Sequence, residues 1–353
     1  MRITRARPST GRRPTVSVVI PCYNYGNYLP AAVASVTSQT GVELEIIIVD
    51  DASTDGSQDV ARALAADDAR IRLILHAENK RHIATYNDGL REATGDYVVL
   101  LSADDLLAPG SLERASTLME HHPEIGLVYG YAPEFTDQPP LPRTKRVSWS
   151  TWTGAEWIAW MCRRGTNILV NPEGMLRRSI MDTLVGYRAD MPHSADMELW
   201  MRAAALADVG RVNGPDQAFY RVHEANMHLT DYAGLLTDMR ARRETFDRFF
   251  AENRGTLPDS ARLDRRARRS IAFEAIRYAE SAAFGDGLAG GAGVNDLTEF
   301  ARETWGGIVD TPAWRGQVRR RERPSRGVRR RLEAKVANVR AALLWRRWRR
   351  FGV

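Results

Sequence analysis

The stretch Val16-Ser17-Val18-Val19-Ile20-Pro21 is a β-branched, mostly apolar run that stops at a proline, and Glu45-Ile46-Ile47-Ile48-Val49-Asp50-Asp51 repeats the plan. Runs of this length and branching read as buried strands. Between them Tyr28 to Ser38 reads as a helix, with Leu29, Ala32, Val33 and Val36 on one side. Working outward, Ser57 to Ala66 is helical, Ile71 to Leu75 is a third strand, and Ile83 to Glu92 is a helix. Tyr97 to Leu101 is a fourth strand, Ser111 to His121 a helix, and Ile125 to Tyr129 another strand. Strands alternating with helices of ten or so residues predict parallel βαβ units in a doubly wound α/β sheet.

Composition agrees. With 44% hydrophobic and 27% charged residues, a chain of 353 can fill a core, which excludes wholesale disorder. Cys22 and Cys162 are too few for a cysteine zinc site or a disulfide framework, and a reducing compartment is the simple reading. The longest apolar runs are of strand length, so neither a transmembrane helix nor a signal peptide is expected. The net charge of +6 hides an asymmetry. Residues 315–350 hold 15 basic against 2 acidic side chains, residues 1–13 add five arginines, and residues 14–314 carry a net −12. An acidic body with basic ends is not the footprint of a nucleic-acid-binding domain, so no nucleic acid partner is expected.

Further along, residues 132–148 are rich in Pro, Lys and Arg and read as a long loop. Trp149, Trp152, Trp157 and Trp160 follow, and Thr153 with Glu156 three positions on forms a capping box for a helix. Residues 230–305 read as all-helical, with Leu235, Leu236, Met239, Phe246, Phe249 and Phe250 at helical spacing. Gly285 to Gly293 interrupts them as a flexible joint.

Ligands of doubly wound sheets bind at the carboxyl ends of the strands. There this chain places Pro21-Cys22-Tyr23-Asn24, Asp50-Asp51-Ala52-Ser53-Thr54-Asp55-Gly56-Ser57 and Ser102-Ala103-Asp104-Asp105. Carboxylates converging on one edge repel unless a cation or hydrogen-bond donors neutralise them. Mg²⁺ or Mn²⁺ takes one or two carboxylates plus substrate phosphate oxygens, which points to a nucleotide diphosphate. Taken alone, Asp55-Gly56-Ser57 is a turn and helix cap, and Asp104-Asp105 is either a helix-start pair or a metal site.

Val18-Val19-Ile20-Pro21-Cys22-Tyr23-Asn24, Val49 to Ser57, and Gly95-Asp96-Tyr97 leading to Asp104-Asp105 resemble, in this order, the family 2 glycosyltransferases of GT-A fold. The resemblance covers roughly residues 15–225. It implies a GT-A, Rossmann-like, mostly parallel sheet with helices on both faces, a nucleotide-sugar donor, a divalent metal and inversion at the anomeric carbon. It places Pro21, Tyr23, Asn24, Asp50, Asp51, Ser53, Asn79, Ala103 and Asp104 around the donor. Asp50 and Asp51 match the pair that accepts from the N3–H of uracil or thymine. Asn79 and Asn87 fall in an Asn-containing segment whose usual glycine, near Arg81-His82, is missing. Asp104 matches the aspartate that meets the metal, while Ser102 stands where many members carry Asp.

Ala195-Asp196-Met197-Glu198-Leu199-Trp200-Met201-Arg202 resembles the family's Glu-Asp-x-x-Leu-Trp-x-Arg signature. Asp196 would then be the general base, with Glu198 as a fallback; without the resemblance both are helix N-terminal acids that suit the dipole. Tyr220-Arg221-Val222-His223 matches a further family element, and His223 could join Asp104 at the metal. A lone histidine such as His193 is better read as structural. Asn171 to Ser179 resembles the acceptor side, with Glu173 and Trp152 as acceptor contacts; Trp149 and Trp152 are candidates for a platform that stacks on a sugar ring, whereas Trp157 and Trp160 read as core.

Arg319-Arg320-Arg321, Arg329-Arg330-Arg331 and Arg346-Arg347-Trp348-Arg349-Arg350 share the C-terminal stretch with Leu332, Val336, Val339 and Leu343 at helical spacing. Such a segment suits an anionic membrane surface, contacted through 315–351; packing on the acidic body, or a solvated tail, are the alternatives. Four parts are expected: a basic disordered N-terminus over 1–14, a catalytic domain over 15–228, a helical region over 229–310 and an Arg-rich amphipathic tail over 311–353. The catalytic domain divides into a nucleotide-sugar half, 15–130, and an acceptor half, 131–228. The expected function is sugar transfer from a UDP- or dTDP-sugar to a hydroxyl of a glycan, lipid-linked or small-molecule acceptor. The expected location is cytoplasmic and peripheral to the membrane. A nucleotidyl- or sugar-phosphate transferase would want a Gly-rich basic loop after the first strand, which Pro21 to Asn27 lacks. A catalytically silent scaffold is the alternative from another class, supported by Ser102 and Ala195.

Overall fold

The computed structural model describes residues 1–169, 171–224, 226, 234–284 and 292–322, together with 336, 339, 343, 346–348 and 352. The chain divides into two compact units, Met1–Trp157 with Leu169–His223, and Ile158–Ile168 with Glu224–Val353.

The first unit opens with β1 (Arg2–Arg5), β2 (Thr15–Cys22), α1 (Leu29–Thr37), β3 (Glu43–Asp50), α2 (Ser57–Asp67), β4 (Ile71–Leu75), α3 (Arg81–Arg91) and β5 (Tyr97–Leu100). It continues through β6 (Leu106–Leu107), α4 (Ser111–His121), β7 (Ile125–Tyr129), β8 (Glu134–Phe135), β9 (Ser148–Trp152) and the start of α5 (Gly154–Arg164), whose residues from Ile158 on belong to the second unit. Next come β10 (Met175–Arg177), α6 (Arg178–Leu184), α7 (Ala195–Leu206), β11 (Asp208–Asn213) and β12 (Ala218–Arg221). A nine-stranded mixed sheet runs β1-β9-β11-β7-β10-β5-β2-β3-β4, beside a small sheet β6-β12-β8. The strands and helices expected between residues 16 and 129 are all present.

Parallel register places the site. Cys22 pairs with Asp50, Asp50 with Leu75, and Val19 with Leu100, so these strands end together. The loops beginning at Tyr23, Asp51, His76 and Ser102 therefore share one edge. Val16, Val18, Ile20, Ile46 and Ile48 are buried in one cluster. Each such side chain contributes about 1.5–3 kcal/mol by leaving water. Helix α3 packs closely on this sheet because it carries Gly89. A Cβ there would lie 2.4 Å from Val19 Cγ1 and 2.9 Å from Val49 Cγ2.

Two expectations are corrected. The N-terminus is not disordered: Arg2–Arg5 pairs antiparallel with Ser148–Thr151 as an edge strand. Beyond it, Arg12 bonds Asp96 and Glu120, so the basic segment finds partners on the acidic body. The sheet also does not divide at residue 130, because β10 inserts antiparallel between β5 and β7 and β11 pairs parallel with β7. The capping box forms as expected, with Thr153 N–H donating to Glu156 Oε2 at 3.1 Å and Glu156 N–H to Thr153 Oγ1 at 3.3 Å.

The second unit contains α8 (Leu235–Glu252), α9 (Ser260–Phe284), α10 (Val294–Thr304) and α11 (Pro312–Glu322). Of the residues at the expected helical spacing, Met239, Phe246, Phe249 and Phe250 are buried and Leu235 and Leu236 half-buried; Ile271, Ile276, Leu297 and Phe300 are buried as well. Residues 285–291 of the expected joint and most of the tail lie outside the described residues. No described helix is long and apolar enough to cross a membrane.

Candidate active site

The loops after β2 and β3 are sewn together. Asn24 N–H donates to Ser53 Oγ at 2.9 Å, Thr54 N–H to Asn24 Oδ1 at 2.8 Å, and Ser53 N–H to Asp50 Oδ1 at 2.9 Å. Asn24 and Ala52 turn the chain with φ of 56° and 57°. Pro21 ends in the sheet interior, whereas Tyr23 is 47% exposed and free to meet a planar ligand. Asp50 is wholly buried, and its Oδ2 has no hydrogen-bond partner among the described residues.

Asp51 is held by His76 Nδ1 and by Lys80 N–H, each at 2.8 Å from its Oδ1. His76 Nε2 meets Asp88 Oδ2 at 3.0 Å, so the imidazole bridges two carboxylates. Asn79 is exposed, and its Oδ1 accepts from Arg81 N–H at 3.0 Å. Arg81 has φ 68°, so the left-handed turn favoured by the missing glycine is made by an arginine.

Ala103, Asp104 and Asp105 are buried after β5. Asp104 Oδ2 lies 3.0 Å from His223 Nε2. Arg221 fastens this loop: its backbone N–H donates to Asp105 Oδ1 and its Nε to the Asp104 carbonyl, both at 2.8 Å. The guanidinium sits between Tyr28 and Phe135, 4.7 and 4.4 Å from their ring centroids. Tyr25 and Tyr28 flank the His223 ring at 5.5 and 5.3 Å. Burial raises both carboxyls, Asp105 further because Asp104 adds like charge. No group of three His, Cys, Asp or Glu that could hold a metal occurs among the described residues. Asp104 and His223 do fit a hard divalent ion that takes its other ligands from a diphosphate.

Asp196 stands in the first turn of α7. Asn171 Nδ2 donates to its Oδ1 at 2.9 Å, and the Tyr187 hydroxyl also bonds it. Desolvation pushes its carboxyl up to about 6, against the lowering effect of those two donors. That value suits a group that must take a proton near neutral pH. Burial raises the Tyr220 hydroxyl, and the nearby charges of Asp105, Asp104 and Asp196 raise it further.

Glu198 is not an alternative base. It is buried and ion-paired with Arg202 at 2.6 Å and Arg188 at 3.3 Å. Arg202 also donates to the Leu184 and Gly186 carbonyls at 2.8 Å, so the end of the signature fastens α6 to α7.

Burial corrects the sugar-platform expectation. Trp152 is 2% exposed, stacked on Tyr129 within β9, and cannot offer a face to a sugar. Trp149 is equally buried, against His121 and His122. Glu173 is 5% exposed and lies in electrostatic reach of the buried Arg211. Trp157 is core, as expected, while Trp160 is half-buried under Arg163. Asn171, Tyr187 and Asn87 had no assigned role at this site. Their sequence signal is weak, since Asn87 and Tyr187 meet across 100 residues.

Residues 17–184 match the profile described as Glycosyl transferase family 2. Putative glycosyltransferase EpsE of Bacillus subtilis is 41% identical over 110 residues, 31% of this chain and 40% of the relative. Putative teichuronic acid biosynthesis glycosyltransferase TuaG of the same organism is 34% identical over 134 residues, 38% of this chain and 53% of the relative. The chain thus spans about half of these relatives or less. S. aureus TarS 1–349 in complex with UDP-GlcNAc superposes with TM-score 0.60 at 16% identity, covering 87% of this chain and 91% of that one. Mannosyltransferase PcManGT from Pyrobaculum calidifontis, in complex with GDP-Man and Mn²⁺, gives 0.56 at 19% identity, covering 89% and 85%. The fold is the GT-A fold with a helical C-terminal region.

Proposed function

Residues 17–184 belong to glycosyl transferase family 2, and from that premise we propose that the chain is an inverting glycosyltransferase using a UDP- or dTDP-sugar. The acceptor is a hydroxyl on a glycan, a lipid-linked sugar or a small molecule. The observation that carries this reading is Asp196 in the first turn of α7, its carboxylate held by Asn171 and Tyr187 and pushed up by burial. Asp196 takes the proton of the acceptor hydroxyl as its oxygen bonds the anomeric carbon. The bond from that carbon to the diphosphate breaks on the opposite face, which inverts the centre. Asp104 and His223 would hold a divalent ion, Mg²⁺ or Mn²⁺, which would supply positive charge to the departing diphosphate.

Tyr23, Asn24, Asp50, Asp51 and Ser53 form the nucleoside side. A carboxylate there favours a base that offers a ring N–H. TarS in its UDP-GlcNAc complex supports a uridine donor by likeness of fold, while the GDP-Man complex of PcManGT keeps the base open to test. The arginine-rich tail brings the enzyme to an anionic membrane surface. Val336, Val339 and Leu343, at helical spacing, are 47%, 58% and 58% exposed beside Arg346 and Arg347.

The test is thermal stabilisation by UDP, dTDP, GDP and ADP, with and without Mn²⁺. Metal-dependent stabilisation by UDP or dTDP is expected. Folded protein that responds to no nucleotide would move the weight to a silent scaffold.

A further inference from the structure

Helix α3 reaches both sides of the site through two adjacent residues. Asp88 meets His76, which meets Asp51 on the nucleoside side. Asn87 faces the other way and clasps the backbone of Tyr187. Its Oδ1 accepts from Tyr187 N–H at 2.7 Å, and its Nδ2 donates to the Tyr187 carbonyl at 2.8 Å. A side-chain amide that pairs with both the N–H and the C=O of one residue fixes that residue's position and tilt, as a neighbouring strand would.

Gly186 lets the clasp close. Its φ is 87°, and a Cβ built there would lie 2.3 Å from Asn87 Oδ1. Tyr86, the residue before Asn87, packs edge to face on the Tyr187 ring at 5.4 Å. The hydroxyl of this clamped, buried tyrosine bonds Asp196, and Asn171 Nδ2 reaches both groups, at 3.4 Å and 2.9 Å.

We propose that Asn87 is a positioning residue for the general base: by clasping Tyr187 it sets the Tyr187 hydroxyl, and through it the Asp196 carboxylate, relative to the donor site held by the same helix. The inference rests on the reading of Asp196 as the base. A shift of about an ångström in a reacting group lowers turnover by about a hundredfold, so the clasp is of catalytic consequence. The ionisable groups facing Asp196 are Tyr187 and Tyr220.

Two readouts test it on the full chain. The first is the titration midpoint of Asp196, followed by carbon NMR of labelled aspartate in wild type, Asn87→Ala, Tyr187→Phe and the double variant. Both single variants are expected to raise the midpoint, because each weakens a donor to the charged form, and the double variant is expected to move it no further than Tyr187→Phe. The second is turnover: Asn87→Ala is expected to lower kcat about ten- to hundredfold with the donor KM unchanged. Asn87→Ser replaces the alanine variant should the latter not fold. An Asp196 midpoint in the Asn87 variant equal to that of wild type would overturn the proposal, whatever the turnover. Wild-type protein that binds nucleotide yet transfers no sugar would instead overturn the transferase reading, and the midpoints would still decide the role of Asn87.

Discussion

His223 Nε2 and Asp104 Oδ2 lie 3.0 Å apart although 119 residues separate them in sequence. The contact brings the last residue of the first unit to the aspartate we propose as a metal ligand. Asp104→Ala is expected to abolish Mn²⁺-dependent stabilisation by UDP. His223→Ala is expected to weaken it about tenfold or more in Mn²⁺ concentration, the scale seen when a metal site loses supporting groups. A Mn²⁺ titration of nucleotide-induced melting shifts measures both. An unchanged titration for His223→Ala would remove it from the metal site.

Asp196 and Glu198 separate by role. Asp196→Asn is expected to lower kcat about 10²- to 10⁴-fold while UDP-dependent stabilisation survives. Glu198→Gln is expected to lower the melting temperature, because Arg188 and Arg202 lose their charged partner, with turnover retained in the folded protein. A Glu198 variant that folds like wild type but is dead would reverse the assignment.

The acid side of the pH profile follows from Asp196. Its carboxyl, near 6, must be ionised to take a proton, so kcat/KM is expected to fall as pH drops through about 6. Asn171 donates to the ionised form, so Asn171→Ala is expected to move that limb to higher pH. The stability sign is opposite. The folded pKa lies above the value of about 3.9 for an unfolded Asp, so the native state holds the extra proton between the two. Stability from this group is present below about 4 and lost as pH rises through 6. Asp196→Asn is expected to gain melting temperature relative to wild type at pH 8 but not at pH 4.

Trp152 answers to packing. Truncating a buried Trp to Ala costs about 3–5 kcal/mol. Trp152→Ala is therefore expected to shift the denaturant midpoint strongly and to leave acceptor KM unaltered in whatever protein remains folded. An acceptor KM that rises at unchanged stability would restore the sugar-platform reading.

The tail prediction is read by vesicle co-sedimentation. The protein is expected to bind phosphatidylserine vesicles and to ignore phosphatidylcholine alone. Replacing Arg346 and Arg347 by Glu, or Val339 and Leu343 by Asp, is expected to release it. Binding that survives both changes would place the membrane contact elsewhere.

The strands and helices from Val16 to Tyr129 were legible because parallel, doubly covered strands are continuous apolar runs and their helices have one apolar side. β10 was not, since three residues carry no period, and β1 was hidden because an edge strand of arginines has no apolar signature. Trp149 and Trp152 misled for a related reason: aromatic identity is equally suited to a sugar platform and to a sheet interior, and only burial separates them. Asp104 and Asp196 stand out as candidates through motif order. Asn87, Asn171 and Tyr187 act through contacts that sequence separation conceals.

The insertion of β10 has a consequence for a chain made from its N-terminus. β5 and β7 are complete by residue 129, yet the strand between them comes from residues 175–177. Until those three residues emerge from the ribosome, β5 has a free edge, and β7, whose other partner β11 comes from residues 208–213, has no strand beside it. The nucleotide half can form its hydrogen bonds early, but it becomes continuous with β7, β11 and β9 only after the segment bearing Asn171 has been synthesised. Closure of the sheet thus waits on the same stretch of chain that carries Asn171, the donor to Asp196.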